Sequence, residues 1–374
     1  MAKEPVALTS GSVARGMLLF AVPIFFSNLF QQLYNAVDSL IVGNFLGGEA
    51  LAAVSSSGSL IFLLTGFVNG VSLGAGVLIA RHFGAKDREA LSRTVHTTVA
   101  LGLAAGAALT LIGVALTPQI LRWMGTPDDV IGNSIIYFRI YFLGSIPVVL
   151  YNVGASILQS VGDSRSPMCY LIAASLLNVV LDLLFIGGFH MGVGSAALAT
   201  ILSQALSAAL AFRKLSRSKE AYGVRWRQIR FHGPTLRAVV VQGVPSGIQN
   251  SVISLANVIV QANINSFGAQ AMAGCGAYSK VEGFAFLPVT CFAMALATFV
   301  SQNIGAGQLD RVRRGMRFGI VTSAALAEVI GVGIFILSPL LIGMFNGEPD
   351  VIAFGVQQAR TASLFYCLLA FSHC

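Results

Sequence analysis

The first apolar run of the chain is GMLLFAVPIFFSNLFQQLYNAV, residues 16–37, and it contains no Asp, Glu, Lys or Arg. A helix that crosses a bilayer needs about 20 consecutive, predominantly apolar residues, so this run is long enough to span a membrane. Further charge-free runs of at least that length follow at residues 50–80, 94–121, 140–162, 183–212, 238–279 and 283–309. The pattern predicts a protein that crosses the membrane many times.

The composition excludes a soluble protein. Apolar residues make up 55% of the 374 residues and charged residues only 10%, whereas soluble domains carry about 25% charged residues. Backbone N–H and C=O groups in hydrocarbon must be paired internally, which leaves helices or closed barrels. Barrel strands alternate in polarity over about 10 residues, and these runs are longer and continuously apolar. The sequence therefore predicts an all-α, polytopic membrane protein.

Clusters of Gly, Pro and charged residues divide the chain into about ten predicted spans. They lie near residues 16–40, 50–80, 91–117, 131–158, 167–187, 193–213, 238–264, 270–302, 315–343 and 351–374.

The basic residues predict the orientation of these spans. Most of the 23 Lys and Arg residues fall in the leader and in connections on one side, chiefly 81–93, 213–237 and 311–317. Positive charge accumulates in cytoplasmic loops, so we expect a multi-pass protein of the cell membrane with a cytoplasmic N-terminus. The net charge of +8 then reflects basic loops beside an anionic leaflet, and we expect no nucleic-acid partner.

The chain contains an internal repeat at an offset of about 221 residues. FGAKDREALSR at 83–93 matches IGAGQLDRVRR at 304–314, and Pro23 aligns with Pro245. An even number of spans separates the copies, so the halves are expected to be parallel, as in many secondary transporters. This predicts an N-terminal lobe at 1–212, a basic cytoplasmic linker at 213–237 and a C-terminal lobe at 238–374.

The second copy of the repeat is expected to be shorter than the first. The counterparts of the fifth and sixth spans would follow Cys374, the last residue of this sequence. We therefore expect a C-terminally incomplete second lobe, with its first four helices present and its last two missing.

Three blocks of sequence carry a family resemblance. They are PIFFSNLFQQLYNAVDSLIVGNFLGGEALAA at 23–53, LLNVVLDLLF at 176–185 and SQNIGAGQLDRVRR at 301–314. Together they resemble the multidrug and toxic compound extrusion (MATE) transporters. The resemblance implies twelve helices in two lobes of six transmembrane helices each, and export of mostly cationic, amphipathic organic compounds in exchange for Na⁺ or H⁺. No enzyme activity and no cofactor beyond the coupling ion is expected, and the sequence has no GxxxxGK[ST] loop for ATP.

Polar residues deep in the predicted first-lobe spans point to an ion site, because ionisable groups in a membrane are costly and usually mark a pathway. Asp38 lies far into the first span, with Tyr34 four residues earlier on the same helical face. Asn178 and Asp182 are also four residues apart, and Thr200 lies in the sixth span. Two mutually repelling carboxylates, an amide oxygen and a hydroxyl suit a monovalent cation or a shared proton.

The resemblance assigns these residues a role. Asp38, Asn178, Asp182 and Thr200 match the first-lobe cation site of the family in residue type and spacing, with Na⁺ as the only metal ion expected. Pro23 matches the proline at which the first helix bends, and Tyr137 matches a tyrosine that lines the lobe. The alternative is structural: Asp38 pairs within the bundle, for example with Arg139.

The second lobe is less informative. Some family members carry an acid in the seventh helix, where this chain has Gln249 and Asn250. Lys280 and Glu282 are two residues apart and do not face each other on a helix. The candidates for the cavity lining are therefore Tyr34, Tyr137, Gln249, Asn250, Lys280 and Glu282.

Three functions are compatible with such a protein. The first is a cation-coupled exporter of cationic drugs or metabolites, acting as a monomer in the bilayer. The second is a flippase for lipid-linked precursors or polysaccharides, although a pyrophosphate cargo requires several basic residues and the predicted site carries acids. The third, a membrane transferase, is disfavoured because no DDxxD motif is present and the polar loops are too short to build such a site.

Overall fold

A computed structural model describes residues 8–47, 50, 54, 70–123, 126, 128–265, 267–345 and 348–373. Almost all of these residues are helical, and this part of the chain contains no strand. The prediction of an all-α, polytopic protein is confirmed.

The helices follow one another with short connections. In chain order they are α1 (Val13–Leu46), α2 (70–84), α3 (Arg88–Trp123), α4 (Asp128–Leu143), α5 (Ser145–Ser160), α6 (Arg165–Asp182), α7 (Gly194–Arg217), α8 (Gly233–Asn265), α9 (Ala269–Ala285), α10 (Leu287–Gly305), α11 (Leu309–Gly343), α12 (Pro349–Ser363) and α13 (Tyr366–His373). A π-helical turn, Leu183–Gly188, follows α6 directly, and a 3₁₀ turn, Trp226–Gln228, precedes α8.

Six segments of the described chain are long and apolar enough to cross a membrane: Val13–Leu46, Arg88–Trp123, Arg165–Gly188, Gly194–Arg217, Gln270–Gly305 and Leu309–Gly343. The bent pair Val130–Leu143 and Ser145–Ser160 would make a seventh. All seven coincide with predicted spans. Of the other three predictions, 50–80 falls largely outside the described residues, 238–264 lies in α8, and 351–374 corresponds to α12 and α13; these three stay predictions.

The predicted count of about ten helices is wrong for the described residues, because three predicted spans each consist of two helices. The span at 131–158 is bent by 49° at Gly144. The span at 270–302 is interrupted at Phe286, just before Pro288, which cannot donate a backbone hydrogen bond and so favours a new helix start. The last span is broken between α12 and α13. The expected absence of two final helices stays a prediction.

The helices form two compact units. Phe30–Ser251 belongs to the first unit, and Val6–Leu29 together with Val252–Cys374 forms the second. The helices α1 and α8 are each divided between the units, and the lobe boundaries at 1–212 and 238–374 stay a prediction. The predicted linker at 213–237 lies within the first unit and contains the end of α7, the 3₁₀ turn and the start of α8.

Local packing explains the division of the two long helices. In the first unit, Gly70 and Gly74 of α2 face Gly247 and Gly243 of α8 so closely that a Cβ on Gly74 would lie 2.4 Å from the Gly243 Cα. Only glycines permit this approach. In the second unit, the first half of α1 buries Phe20 and other apolar residues against α10.

The turns after α2 and α10 support the internal repeat. Lys86 has φ 56° and Gly307 has φ 70°. The Lys86 N–H bonds to the Phe83 carbonyl, and the Gly307 N–H bonds likewise to the Ile304 carbonyl. The next amides, of Asp87 and Gln308, reach back to His82 and Asn303. This is the Schellman pattern that ends many helices, and it occurs at equivalent repeat positions.

Candidate cation-binding site

Asp38 lies in the half of α1 that belongs to the first unit, and its side chain faces the helix bundle. Asp38 is 8% exposed. Ile41 and Val42, three and four residues further on and therefore on the same helical face, belong to a buried cluster with residues of α4, α7 and the π-helical turn. The neighbouring packing thus places Asp38 in the interior of the first unit.

Asn178 and Asp182 occupy the last turn and a half of α6. They are 1% and 0% exposed, respectively. Asp182 is the final residue of α6, and the π-helical turn begins at Leu183. Irregular turns of this type inside helices often occur at functional sites. The four-residue spacing predicted that both side chains share a face, and both are buried.

The structure brings the two carboxyl groups together. Asp38 and Asp182 lie close enough for their carboxyl groups to interact electrostatically. Neither oxygen of Asp182 has a hydrogen-bond partner, and the same holds for Asp38 Oδ1 and for the amide oxygen and nitrogen of Asn178. Buried polar groups in native proteins are almost always paired, and an unpaired buried charge costs several kcal/mol. A positive ion or a proton would remove that cost.

A small cavity adjoins the two α6 residues. Its volume is about 10 Å³, and its lining is formed by Tyr34, Leu171, Ala174, Ser175, Asn178, Thr200, Ser203 and Gln204. A volume of this size holds about one water molecule, so it fits a single small ion and not an organic cargo. The Thr200 hydroxyl donates to the Ala196 carbonyl at 3.1 Å, which leaves its oxygen lone pairs available to a cation.

Two tyrosines extend the polar surface around Asp38. Tyr34 lies near the side chain of Gln204, and both residues line the small cavity. Tyr137 is buried and close enough to interact electrostatically with Asp38. Its ring stacks on that of Tyr141, with the centroids 6.4 Å apart. Both tyrosines predicted as cavity-lining residues therefore lie near the carboxyl pair.

Three further α7 residues face this region and were not predicted from the sequence. Ser203 and Gln204 line the cavity, and Ser207 is buried one turn further on. Together with Thr200 they form a polar stripe at positions i, i+3, i+4 and i+7. That spacing marks one face of a helix, and in an otherwise apolar span a polar face indicates the bundle interior. The signal was present in the sequence.

Three candidates from the predicted second lobe lie outside the lining of the small cavity. Glu282 accepts a hydrogen bond from Tyr278, at 2.9 Å, and Lys280 is exposed. Gln249 is exposed on α8, and the side chain of Asn250 lies outside the described structure. Gln249, Lys280 and Glu282 therefore do not line the cavity beside Asn178, and a cavity role for the four residues stays a prediction.

Pro23 lies within α1, which is continuous from Val13 to Leu46. Proline has no N–H to donate to the carbonyl four residues earlier, and its ring crowds that carbonyl. The helical hydrogen bonding of α1 is therefore weakest in the turn that precedes Pro23. Pro23 belongs to the second unit and Asp38 to the first. The predicted bend stays a prediction.

The alternative pairing of Asp38 with Arg139 is not observed. Arg139 is exposed, and the ion pairs within the described part of the chain involve other residues. The donor set at Asp38, Asn178, Asp182 and Thr200 is oxygen-rich and carries up to two negative charges, which suits a hard monovalent cation or a proton.

Comparison with known proteins identifies the family. The chain is 32% identical to the "Probable multidrug resistance protein YoeA" of Bacillus subtilis, over 91% of this chain and 75% of that protein. It is 24% identical to a protein of Shewanella oneidensis named "FAD transporter", over 94% of this chain and 78% of that one.

Solved structures show the same fold. The "Crystal structure of MATE in the bent conformation" matches 100% of this chain and 83% of that chain, with a TM-score of 0.91 at 23% identity. The MatE family model matches residues 23–184 and 245–374, which is well over half of the chain. The protein thus belongs to the MatE family, whose members are membrane transporters and not enzymes.

Proposed function

We propose that this protein is a secondary active multidrug exporter, which antiports cationic, amphipathic organic compounds against Na⁺ or H⁺ by alternating access. It would act as a monomer in the cell membrane, with its N-terminus in the cytoplasm. The carrying observation is the pair of buried carboxyl groups at Asp38 and Asp182, three of whose four oxygens lack hydrogen-bond partners. The relatives named as multidrug resistance proteins support the export of drugs.

The coupling step follows from the cost of buried charge. With both carboxylates ionised and close together, the site is unfavourable until a cation or proton neutralises part of its charge. The ion would be held by Asp38, Asn178, Asp182 and Thr200. Its binding therefore changes the relative stability of conformations that pack these residues differently, which is the requirement for a ligand to shift a conformational equilibrium.

The helix α1 is suited to transmit this change. Its two halves belong to different units, with Asp38 in one half and Pro23 in the other. A change in the position of Asp38 acts on a helix whose hydrogen bonding is already interrupted near Pro23. We therefore expect α1 to bend near Pro23 when the ion binds and to link ion entry to cargo release.

The proposal is tested by ethidium efflux from cells that express the chain. Asp38→Asn keeps the size of the side chain but removes the negative charge, so export should fall to the level of cells without the protein. Asp310→Asn is the matched control, because the Asp310 side chain is exposed. Export by Asp38→Asn at the rate of the unmodified protein would contradict the proposal.

A flippase for lipid-linked precursors is the second candidate, and the site disfavours it. Pyrophosphate recognition relies on Arg and Lys, and no residue lining the small cavity is basic. Reconstituted vesicles should therefore export ethidium without translocating a fluorescent lipid-linked pyrophosphate. The reverse result would favour the flippase.

A further inference from the structure

A second, larger cavity lies on the first unit between α5 and α7. Its volume is about 450 Å³, and its lining is formed by Ile146, Pro147, Leu150, Ala205, Ala208, Ala209, Phe212, Arg213, Ser216 and Trp226. None of these residues lines the small cavity beside Asn178. The lining is apolar along most of its length and becomes polar at one end, where Arg213, Ser216 and Trp226 lie.

Close helix contacts on both sides of this groove fix its shape. A Cβ on Gly144 would lie 2.2 Å from the side chain of Ile201, and one on Gly154 would lie 3.1 Å from the Ala211 Cβ. The helices α5 and α7 are thus held together at two levels. The lining includes three small α7 side chains, Ala205, Ala208 and Ala209, and the space that they leave beside α5 forms the groove.

The length of the groove matches one leaflet of a bilayer. From Ala205 to Ser216 an α-helix rises by about 16 Å, and half of the hydrocarbon core is about 15 Å. Its polar end coincides with the end of α7 at Arg217. The groove therefore runs along α7 from the polar boundary to about the middle of the membrane.

The polar end has the residues of a membrane interface. Trp226 is 59% exposed, and its ring stacks on Phe212 with the centroids 5.8 Å apart. Tryptophan is enriched at the level of lipid headgroups. Arg213 is exposed and takes no part in the ion pairs of the described residues, whereas its neighbour Lys214 pairs with Asp163.

The surrounding surface is also basic. Arg225, Arg227 and Arg230 flank Trp226 and are exposed, and the acid in the same connection is Glu220. Clusters of basic residues directly beside a membrane span attract anionic lipids. A soluble organic cation would be repelled by the same charges.

We propose that this groove binds one anionic phospholipid. One acyl chain lies between α5 and α7 along Ala205 and Ala209, and the phosphate is held by Arg213 beside the Trp226 ring. The groove length favours an acyl chain, and the charge at its mouth favours an anionic headgroup over a zwitterionic one. The site is separate from the carboxyl pair, so this inference does not depend on the proposed ion coupling.

The test uses the fluorescence of Trp226. The chain has 2 tryptophans, so Trp123→Phe leaves Trp226 as the only emitter. The purified variant is reconstituted into phosphatidylcholine vesicles that contain increasing fractions of brominated phosphatidylglycerol or brominated phosphatidylcholine. Brominated phosphatidylglycerol should reach half-maximal quenching at a lipid fraction at least about fivefold lower than brominated phosphatidylcholine does. A preference of this size is what roughly one basic residue provides near an anionic lipid.

Matched variants separate a specific site from general attraction to the surface. Arg213→Gln should abolish the preference for phosphatidylglycerol, whereas Arg165→Gln, which removes an exposed charge at the start of α6, should preserve it. Ala209→Phe fills the groove and should weaken quenching by both lipids while circular dichroism confirms an intact helix content. Equal quenching by the two lipids, or equal loss in the two arginine variants, would overturn the proposal.

Discussion

Each unit of the molecule has an acidic side chain beside tyrosines, half-buried Glu282 in the second and buried Asp182 in the first, but the two acids have different partners. In the second unit, Tyr278 donates to Glu282 at 2.9 Å, and the hydroxyls of Tyr278 and Tyr366 are 3.0 Å apart. In the first unit, Asp182 is fully buried, and its contact is another carboxyl group, that of Asp38. One acid is satisfied by the protein, and the other is not.

This difference indicates which acid binds a ligand. An ionised Glu282 can only accept hydrogen bonds. The Tyr278 hydroxyl therefore donates its hydrogen bond to Glu282, and the Tyr366 hydroxyl donates to Tyr278. That network joins α9 to α13 and stabilises the fold. Two carboxyl groups facing each other provide no donor unless a proton or cation is added. An acid beside tyrosines therefore does not mark the transport site, whereas a buried acid without a hydrogen-bond partner does.

The largest expected effect is on transport by Asp182→Asn. The substitution removes one of the two charges that would hold the ion, and a contact to a charged group contributes about 1.5–3 kcal/mol, which is roughly a ten- to hundredfold change in affinity. Ethidium efflux should fall by at least about tenfold. Glu282→Gln still accepts from Tyr278 and should retain most of the activity; a larger loss in this variant would place the coupling acid in the second unit.

The second expectation is that apolar substitutions at the two acids change stability in opposite directions. Glu282→Leu leaves the buried Tyr278 hydroxyl without its acceptor and should lower the free energy of unfolding by about 1–3 kcal/mol. Asp182→Leu removes an unsatisfied buried charge and should be neutral or stabilising, because apolar replacement of buried charge often is. Thermal unfolding in detergent without Na⁺ measures both.

Loss of stability in both leucine variants would contradict this comparison. It would mean that Asp182 is already satisfied within the protein, as Glu282 is. Asp310→Leu, at an exposed position near the start of α11, controls for the general effect of replacing an acid with leucine.

Charge and apolar length predicted most of the spans. The prediction of 193–213 agrees with α7, which is Gly194–Arg217, and that of 315–343 agrees with α11, which is Leu309–Gly343. A span ends where charged residues make burial in hydrocarbon too costly, so the positions of charged residues predict its ends. The bend at Gly144 leaves no mark in the hydropathy pattern, because α4 and α5 are apolar on both sides of it. The pattern therefore predicted one continuous helix.

Side chains that meet across the fold were predictable only in part. Asp38, Asn178 and Asp182 were identified because acids and amides are rare in apolar spans. The partner of Tyr278 is Tyr366, which is 88 residues away, and tyrosines are common at membrane interfaces. Nothing local distinguishes these two tyrosines from others, so their contact, and with it the structural role of Glu282, required the fold.

The smallest expected effect concerns the two equivalent turns of the repeat. Gly307→Ala places a side chain at φ 70°, and since no atom lies within 4 Å of the added Cβ, the left-handed backbone alone should cost about 1 kcal/mol. Lys86→Gly, at φ 56°, should instead stabilise by up to about 1 kcal/mol, because glycine removes the same strain.

Unfolding of the two single variants and of the double variant measures these effects, which should add because the turns belong to different units. Gly132→Ala, within α4 and also with open space around its Cβ, is the control and should stabilise because alanine favours helix. If Gly307→Ala changed the free energy of unfolding no more than Gly132→Ala does, the turn after α10 would not depend on its left-handed residue. The two turns would then differ in energy although they have the same hydrogen-bond pattern.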